Sequence, residues 1–305
     1  MSIQKTLQSK KALTSYIRAS KNKHIRSIAE SMNISVEELK GWLEYHDLLD
    51  AVILFNAPEK ELGELLTGFR KDRKVLRPYE IDFYLDGLRL GVDFNGTYWH
   101  SSEFRTPYYH QEKALMALSN GVKLYQIFEY EWSKKDIVLA GIQRLAGVLP
   151  RLSVKEVREI DRNAAITFLH FNTLSYEDFD LAIGCFSDDL CAIMTFKGNV
   201  LTNYAEIYNK TVLDGFKRAF DYFRSKYTLD KITAFNDLAK PLYEFSGFSP
   251  DGVTEPELVW FKNTVLTPEK KAFLLRGSKL SEEETLKKLE YKKLYTSGKV
   301  RLISD

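Results

Sequence analysis

Apolar positions recur with two different periods along this chain, and each change of period marks a new part of it. The first 46 residues are helical in spacing. The segment SKKALTSYIRAS (9–20) predicts one helix, Ile28 and Met32 share one face of the next, and Val36, Leu39 and Leu43 stripe a third. Ser35, with Glu38 three residues on, reads as a capping box that opens this third helix over 36–46, and Asn33 lies in the turn before it. Residues 48–76 read as one or two short helices, with Pro58 at a start and Gly68 at an end, running into Arg70, Lys71, Arg73 and Lys74.

The period then drops to two. Asp86-Gly87 is a two-residue turn signal, and a hairpin centred there pairs Leu85 with Leu88, Phe83 with Leu90 and Ile81 with Val92. Those six residues and Phe94 make one apolar face. The other face carries Glu80, Asp82, Tyr84, Arg89, Gly91, Asp93 and Asn95, with Glu80 opposite Asp93 and Asp82 opposite Gly91. Like charges directly opposite one another destabilise a sheet, so three carboxylates on one patch point to a compensating cation, a hard divalent ion such as Mg²⁺. A solvated outer face is the alternative.

Thr106-Pro107 predicts the start of a helix that ends near Gly121, placing His110 and Lys113 three apart on one face. VKLYQIF follows as a strand, then Glu129, Glu131, Trp132 and a helix capped by Ser133 that ends before Pro150. From residue 151 the pattern changes again. FDLAIGCF and LCAIMTF form a hairpin around Ser187-Asp188-Asp189; a strand NYAEIY, a helix 213–227, a strand DKITAFN, a helix ending in YEFSGF and a strand ELVWFK complete an α/β domain. The expected organisation is therefore an α/β multidomain chain: helical module 1–50, mixed sheet flanked by helices 51–150, a second α/β domain 151–265 and a basic helical tail 266–305.

Composition narrows the partners. The 305 residues carry a net charge of only +2, so local charge must be read instead. Residues 1–26 hold Lys5, Lys10, Lys11, Arg18, Lys21, Lys23 and Arg26 without one acid. Joined to the helix, turn and capped helix behind it, this arm reads as a helix-turn-helix that meets double-stranded DNA, with Arg18, Lys21, Lys23, Arg26 and Lys40 as expected contacts. Two cysteines, Cys185 and Cys191, are too few for a disulfide framework and predict buried thiols in a reducing compartment. No apolar run approaches the roughly 18 residues of a membrane span, so a cytoplasmic protein without membrane contact is expected.

The blocks EIDFYL, GVDFNGTYWHS, YYHQEK and LYQIFEYEW resemble the nuclease domain of phage homing endonucleases related to the very-short-patch-repair enzyme, the EDxHD-type branch of the PD-(D/E)xK superfamily. IAESMNISVEELKGWLEYHDL is similar to the helix-turn-helix segments such nucleases carry, and the region after 151 resembles the acyltransferase-like (GNAT) domain found behind them. The resemblance implies a Mg²⁺-dependent (or Mn²⁺-dependent) site-specific endonuclease in a phage-infected bacterial cell. It implies that Asp82 and Asp93, with Glu80, bind metal, that Asn95 stands where the superfamily has lysine, and that His100, His110 and Lys113 complete the catalytic set. A monomer with one such site nicks unless it forms a homodimer or re-engages the second strand. Two rivals stand beside this expectation. One is a DNA-binding regulator with a degenerate nuclease fold, which the missing lysine favours. The other is an acyltransferase targeted to DNA, although KTVLDGFKRAF offers only Gly215 where a glycine-rich phosphate loop belongs.

Overall fold

The computed structural model describes residues 3–304 apart from 21–24, 49–50, 53–56, 98–99, 103, 263, 277, 279 and 290. The chain divides into two compact units, Met1–Thr67 and Gly68–Asp305. The break falls after residue 67 rather than near 50, so the expected connector helix belongs to the first unit.

Among its described residues the regular elements of that first unit are helices: α1 (Ile3–Leu7), α2 (Lys10–Ala19), α3 (Ile25–Ser31), α4 (Val36–Tyr45) and α5 (Ala57–Leu65). Leu7, Leu13, Ile17, Ile28, Met32, Leu39 and Leu43 close into one core. Full burial of such a side chain contributes roughly 1.5–3 kcal/mol. Asn33 adopts a left-handed φ of 51° between α3 and α4, a conformation its short polar side chain tolerates. Ser35 Oγ then accepts the Glu38 amide at 3.0 Å and starts α4. At the far end of α4, the buried His46 ring bonds the Leu7 carbonyl at 2.7 Å.

The second unit opens with a four-stranded sheet in the order β1 (Arg70–Asp72), β2 (Ile81–Leu85), β3 (Leu90–Asn95), β4 (Lys123–Phe128). β1, β2 and β3 are antiparallel neighbours, whereas β3 and β4 run parallel, joined by the crossover helix α6 (Tyr109–Ser119). Helix α7 (Lys135–Ala146) packs on the opposite face, with Gly141 against the buried Tyr125 ring. Every residue of β3 is consequently buried, so the acid-bearing face is a covered layer and not the solvated outer face that alternation allows.

The remainder is built on a seven-stranded sheet. Its elements run β5 (Arg151–Ser153), β6 (Glu156–Glu159), α8 (Arg162–Asn172), β7 (Leu181–Phe186), β8 (Leu190–Lys197), β9 (Val200–Glu206), β10 (Thr211–Leu213), α9 (Gly215–Lys226), β11 (Ile232–Asp237), β12 (Ser249–Val253), β13 (Leu258–Lys262), β14 (Thr264–Val265), α10 (Pro268–Leu275), α11 (Glu282–Lys288), β15 (Lys292–Tyr295) and β16 (Lys299–Ser304). The large sheet has the order β12-β16-β11-β9-β8-β7-β6. Phe168 and Leu169 of α8 pack with Ala182 and Ile193, while Phe216, Phe220 and Phe223 of α9 pack with Ile183 and Met194. Alternate residues of β7 and β8 thus serve the two faces. Cys185 and Cys191 are buried in the α9 core as free thiols.

Two expectations change here. Residues 239–247 form turns and irregular chain, not a helix ending in YEFSGF. The tail is not simply helical, because β16 inserts between β12 and β11; its alternating Val300 and Leu302 face the core while Lys299 and Arg301 do not, which is strand periodicity. No described helix is long and apolar enough to cross a membrane.

Candidate functional site

The hairpin differs from expectation in its register and, at Ile81, in its face. Residues Asp86–Leu88 form a 3-10 turn and Arg89 takes a left-handed φ of 48°, so the connection has four residues and not two. The pairs are Leu85 with Leu90, Tyr84 with Gly91 and Phe83 with Val92. Arg89 explains the longer loop: its guanidinium donates to the Asn120 and Gly121 carbonyls at the end of α6, and its own carbonyl accepts from Lys123. The resulting slip brings Asp82, not Glu80, across from Asp93.

A second irregularity lies at this point. Arg70 pairs with Tyr84 but Asp72 pairs with Ile81, so β2 carries one residue more than β1 between those pairs, a β-bulge at Asp82-Phe83. The bulge turns Ile81 toward Gly91 and away from the face it was expected to share with Phe83. It also lets side chains replace the ladder: Asp82 N–H donates to Asp93 Oδ1 at 3.3 Å, and Phe94 N–H donates to Asp82 Oδ2 at 3.0 Å. The two aspartates meet across the strands. Glu80 does not join them; its carboxylate takes Lys71 at 2.6 Å and the Arg73 guanidinium. Partial burial raises the Glu80 carboxyl, and hydrogen bonds from Lys71 and Arg73 more than reverse this, leaving it below the usual range. Lys71 Nζ also stands 4.0 Å from Asp82 Oδ1.

Helix α6 clasps the sheet through residues one turn apart. Lys113 Nζ lies 2.5 Å from Asp93 Oδ2, with side chains only 5% and 1% exposed, and it donates to the Glu80 carbonyl. His110 meets Gln126, the residue beside Asp93 on β4. Gln126 Nε2 donates to the His110 carbonyl at 3.0 Å, which orients the amide so that Oε1 accepts the His110 Nδ1 proton at 3.2 Å. His110 Nε2 then bears the lone pair and makes no hydrogen bond of good geometry among the described residues, although the His100 backbone lies near enough to the ring to favour its protonated form. The His100 ring stacks on His110 with centroids 5.1 Å apart. Burial lowers His110 to about 3, offset in part by the Gln126 bond. Burial, then the neighbouring His110, Arg105 and Lys113, hold His100 well below its ordinary value. Both rings are neutral at pH 7. Asn95 is buried two residues beyond Asp93 on the same face of β3, and its Nδ2 donor is unsatisfied among the described residues.

No family model, curated protein or solved structure matches this chain.

Of the seven residues expected at the site, Asp82, Asp93 and Lys113 are in mutual contact or one partner removed, His100 and His110 form a second pair, Asn95 extends the same layer, and Glu80 is turned to the basic strand. Among the described residues no three His, Cys, Asp or Glu side chains converge as a ready metal ligand set. In the first unit, Arg18 and Lys40 are exposed, Lys40 with Glu44 3.7 Å away. Lys21 and Lys23 lie outside the described residues, as do the Arg26 side chain and the Tyr98-Trp99 pair before His100. Sequence reasoning missed Gln126, Lys71 and Arg73 as parts of the site. Gln126 left a signal, being one polar residue inside the apolar run LYQIF, where burial demands a partner.

Proposed function

We propose that this chain is a metal-dependent endodeoxyribonuclease, hydrolysing phosphodiester bonds of double-stranded DNA, with its cutting site where the bulged segment of β2 at Asp82-Phe83 faces β3. The observation that carries the reading is the meeting of Asp82 and Asp93 across β2 and β3, with Lys113 ion-paired to Asp93. Carboxylates are gathered at such cost where charge is to be neutralised by something else.

The donor chemistry fits a hard divalent ion. Asp82 and Asp93 offer hard oxygen ligands; Mg²⁺ is commonly held by one or two carboxylates, with water and substrate phosphates filling its other positions. Mn²⁺ has the same preference for oxygen donors. Glu80, held by Lys71 and Arg73, is not proposed as a ligand. Such an ion, when bound, supplies phosphate-charge neutralisation and a more acidic water. The chain's own groups do the rest. In this reading Lys113 stabilises charge building on the phosphoryl oxygens. His110, with its Nδ1 proton committed to Gln126, presents Nε2 as an acceptor, and His100 stacked on it gives a second neutral ring for proton transfer. The lysine absent from position 95 is then supplied from α6.

The helix pair α3–α4, with its left-handed Asn33 and outward Lys40, supports a DNA-binding role for the first unit. The second reading is a DNA-binding regulator with a degenerate site, favoured by the lack of a three-residue ligand set among the described residues. One experiment separates them. The protein is incubated with its native locus and Mg²⁺ or Mn²⁺ and the ends are mapped, in parallel with Asp82→Ala. Cutting that disappears in the variant while DNA binding survives supports the nuclease; binding without cutting in any divalent metal supports the regulator. Retained cutting by Asp82→Ala removes the site from this place.

A further inference from the structure

β4 is the last strand of its sheet, and an open edge needs partners for the backbone groups that point away from β3. The loop after β11 provides them. Gln126 N–H donates to the Ala239 carbonyl at 2.9 Å, and the Gln126 carbonyl accepts the Lys240 ammonium. Lys240 is only 8% exposed. Its Nζ is also 3.0 Å from Glu131 Oε2, and it lies over the Tyr125 and Phe128 rings at 5.2 and 5.5 Å from their centroids. A buried ammonium is costly, and this one is satisfied by a carbonyl, a carboxylate and two ring faces. Glu131 is itself bound to the strand end, accepting the Phe128 N–H at 2.9 Å.

The same Gln126 that is held from behind grips His110 from in front through both ends of its amide. The backbone of Gln126 is thus fixed by the C-terminal half while its side chain fixes the ring. Two further ties run the same way. Gln111, next to His110 on α6, donates to the Thr254 and Ser297 carbonyls at 2.8 and 3.1 Å, and Ser102 N–H, two residues past His100, donates to the Lys293 carbonyl at 2.8 Å.

We infer that Lys240 is a positioning residue for His110, acting through Gln126, so that the C-terminal α/β half forms the rear wall of the site between β2, β3 and α6. Its catalytic consequence rests on the nuclease reading; its structural consequence does not. Removing the ammonium frees the Gln126 carbonyl and lets the strand edge shift, and the amide then no longer enforces the Nδ1–H tautomer of His110.

The test uses the full chain with Lys240→Met, Lys240→Arg and the double variant Lys240→Met/Glu131→Gln, which removes both charges and keeps the fold free of an unpaired carboxylate. With five histidines in the chain, ring ¹⁵N spectra resolve the tautomer of His110 directly. The expected result for Lys240→Met, or for the double variant if the single one does not fold, is a His110 resonance moved from pure Nδ1–H toward a tautomer mixture. Turnover on DNA falls about 10–100-fold, the usual cost of losing an outer partner of a functional histidine, with KM changed less than about twofold. Lys240→Arg restores the tautomer and most of the turnover. An unchanged His110 spectrum in folded variants overturns the inference. If the wild-type protein cuts no DNA, the nuclease reading fails while the spectra still decide the role of Lys240.

Discussion

Replacing Lys113 with Met is the most exacting perturbation of the site, because it keeps the length of the side chain and deletes only the charge. Lys113 Nζ is 2.5 Å from Asp93 Oδ2, the two side chains are 5% and 1% exposed, and Lys113 also serves the Glu80 carbonyl. Breaking one side of such a buried pair leaves a carboxylate with little water to solvate it, a loss of about 3–5 kcal/mol. In a unit of this size that corresponds to a fall in Tm on the order of 10 °C. Asp93→Asn alone leaves the ammonium and is expected to cost a similar amount. The double variant Lys113→Met/Asp93→Asn removes both charges, and apolar or neutral replacement of a buried pair is often close to neutral. It should therefore be more stable than either single variant. Urea unfolding followed by fluorescence reads this, since Trp132 packs edge-on against Phe94 at 5.7 Å, one residue from Asp93. A Lys113→Met protein within about 1 kcal/mol of wild type, or a double variant as unstable as the sum of its parts, would refute the assignment of this pair as buried and coupled.

Acid should act through the histidines. His110 is held near 3 when folded against an ordinary 6.5, so between those values the unfolded chain binds the proton the native one refuses, and stability falls as the pH drops below about 6.5. Completed at pH 3, this contributes about 5 kcal/mol, and His110→Phe should flatten the stability curve between pH 6.5 and 5, as measured by denaturant midpoints. On the other face, a Cβ added at Gly141 would lie 2.6 Å from Tyr125 Oη and 2.9 Å from its Cζ. Gly141→Ala should destabilise by about 1–3 kcal/mol, with partial recovery in Tyr125→Phe, read by the same midpoints.

The parts of the site that sequence made legible are those that parity and helical spacing protect. A slip of two residues preserves parity, so Asp82, Asp93 and Asn95 share a face as expected although their cross-strand partners differ, while the bulge moves Ile81 to that face as well. His110 and Lys113, one turn apart, met the same sheet layer as their spacing requires. The hairpin turn was misread because Asp86-Gly87 has the composition of a two-residue loop, while Arg89 is committed to carbonyls at Asn120 and Gly121, contacts no local pattern reveals. Glu80 was misplaced for a related reason: Lys71 and Arg73 become its neighbours only once β1 joins the sheet. In the first unit the local signals sufficed, since a cap at Ser35 and a left-handed Asn33 are properties of a few adjacent residues. β16 was hidden by its surroundings, a short alternating strand at the end of a lysine-rich, helix-forming stretch.

The two cysteines have a practical use that follows from their burial. Cys185 and Cys191 are 0% and 2% exposed, and burial pushes the Cys185 thiol up to about 12 and the Cys191 thiol above its usual value as well. Alkylating reagents attack thiolate, which neither side chain presents at neutral pH. A single cysteine introduced at an exposed position such as Lys40 or Tyr45 can therefore carry a fluorophore or spin label with the native pair left in place. The first unit can then be followed, with and without added DNA, without engineering the interior of the second.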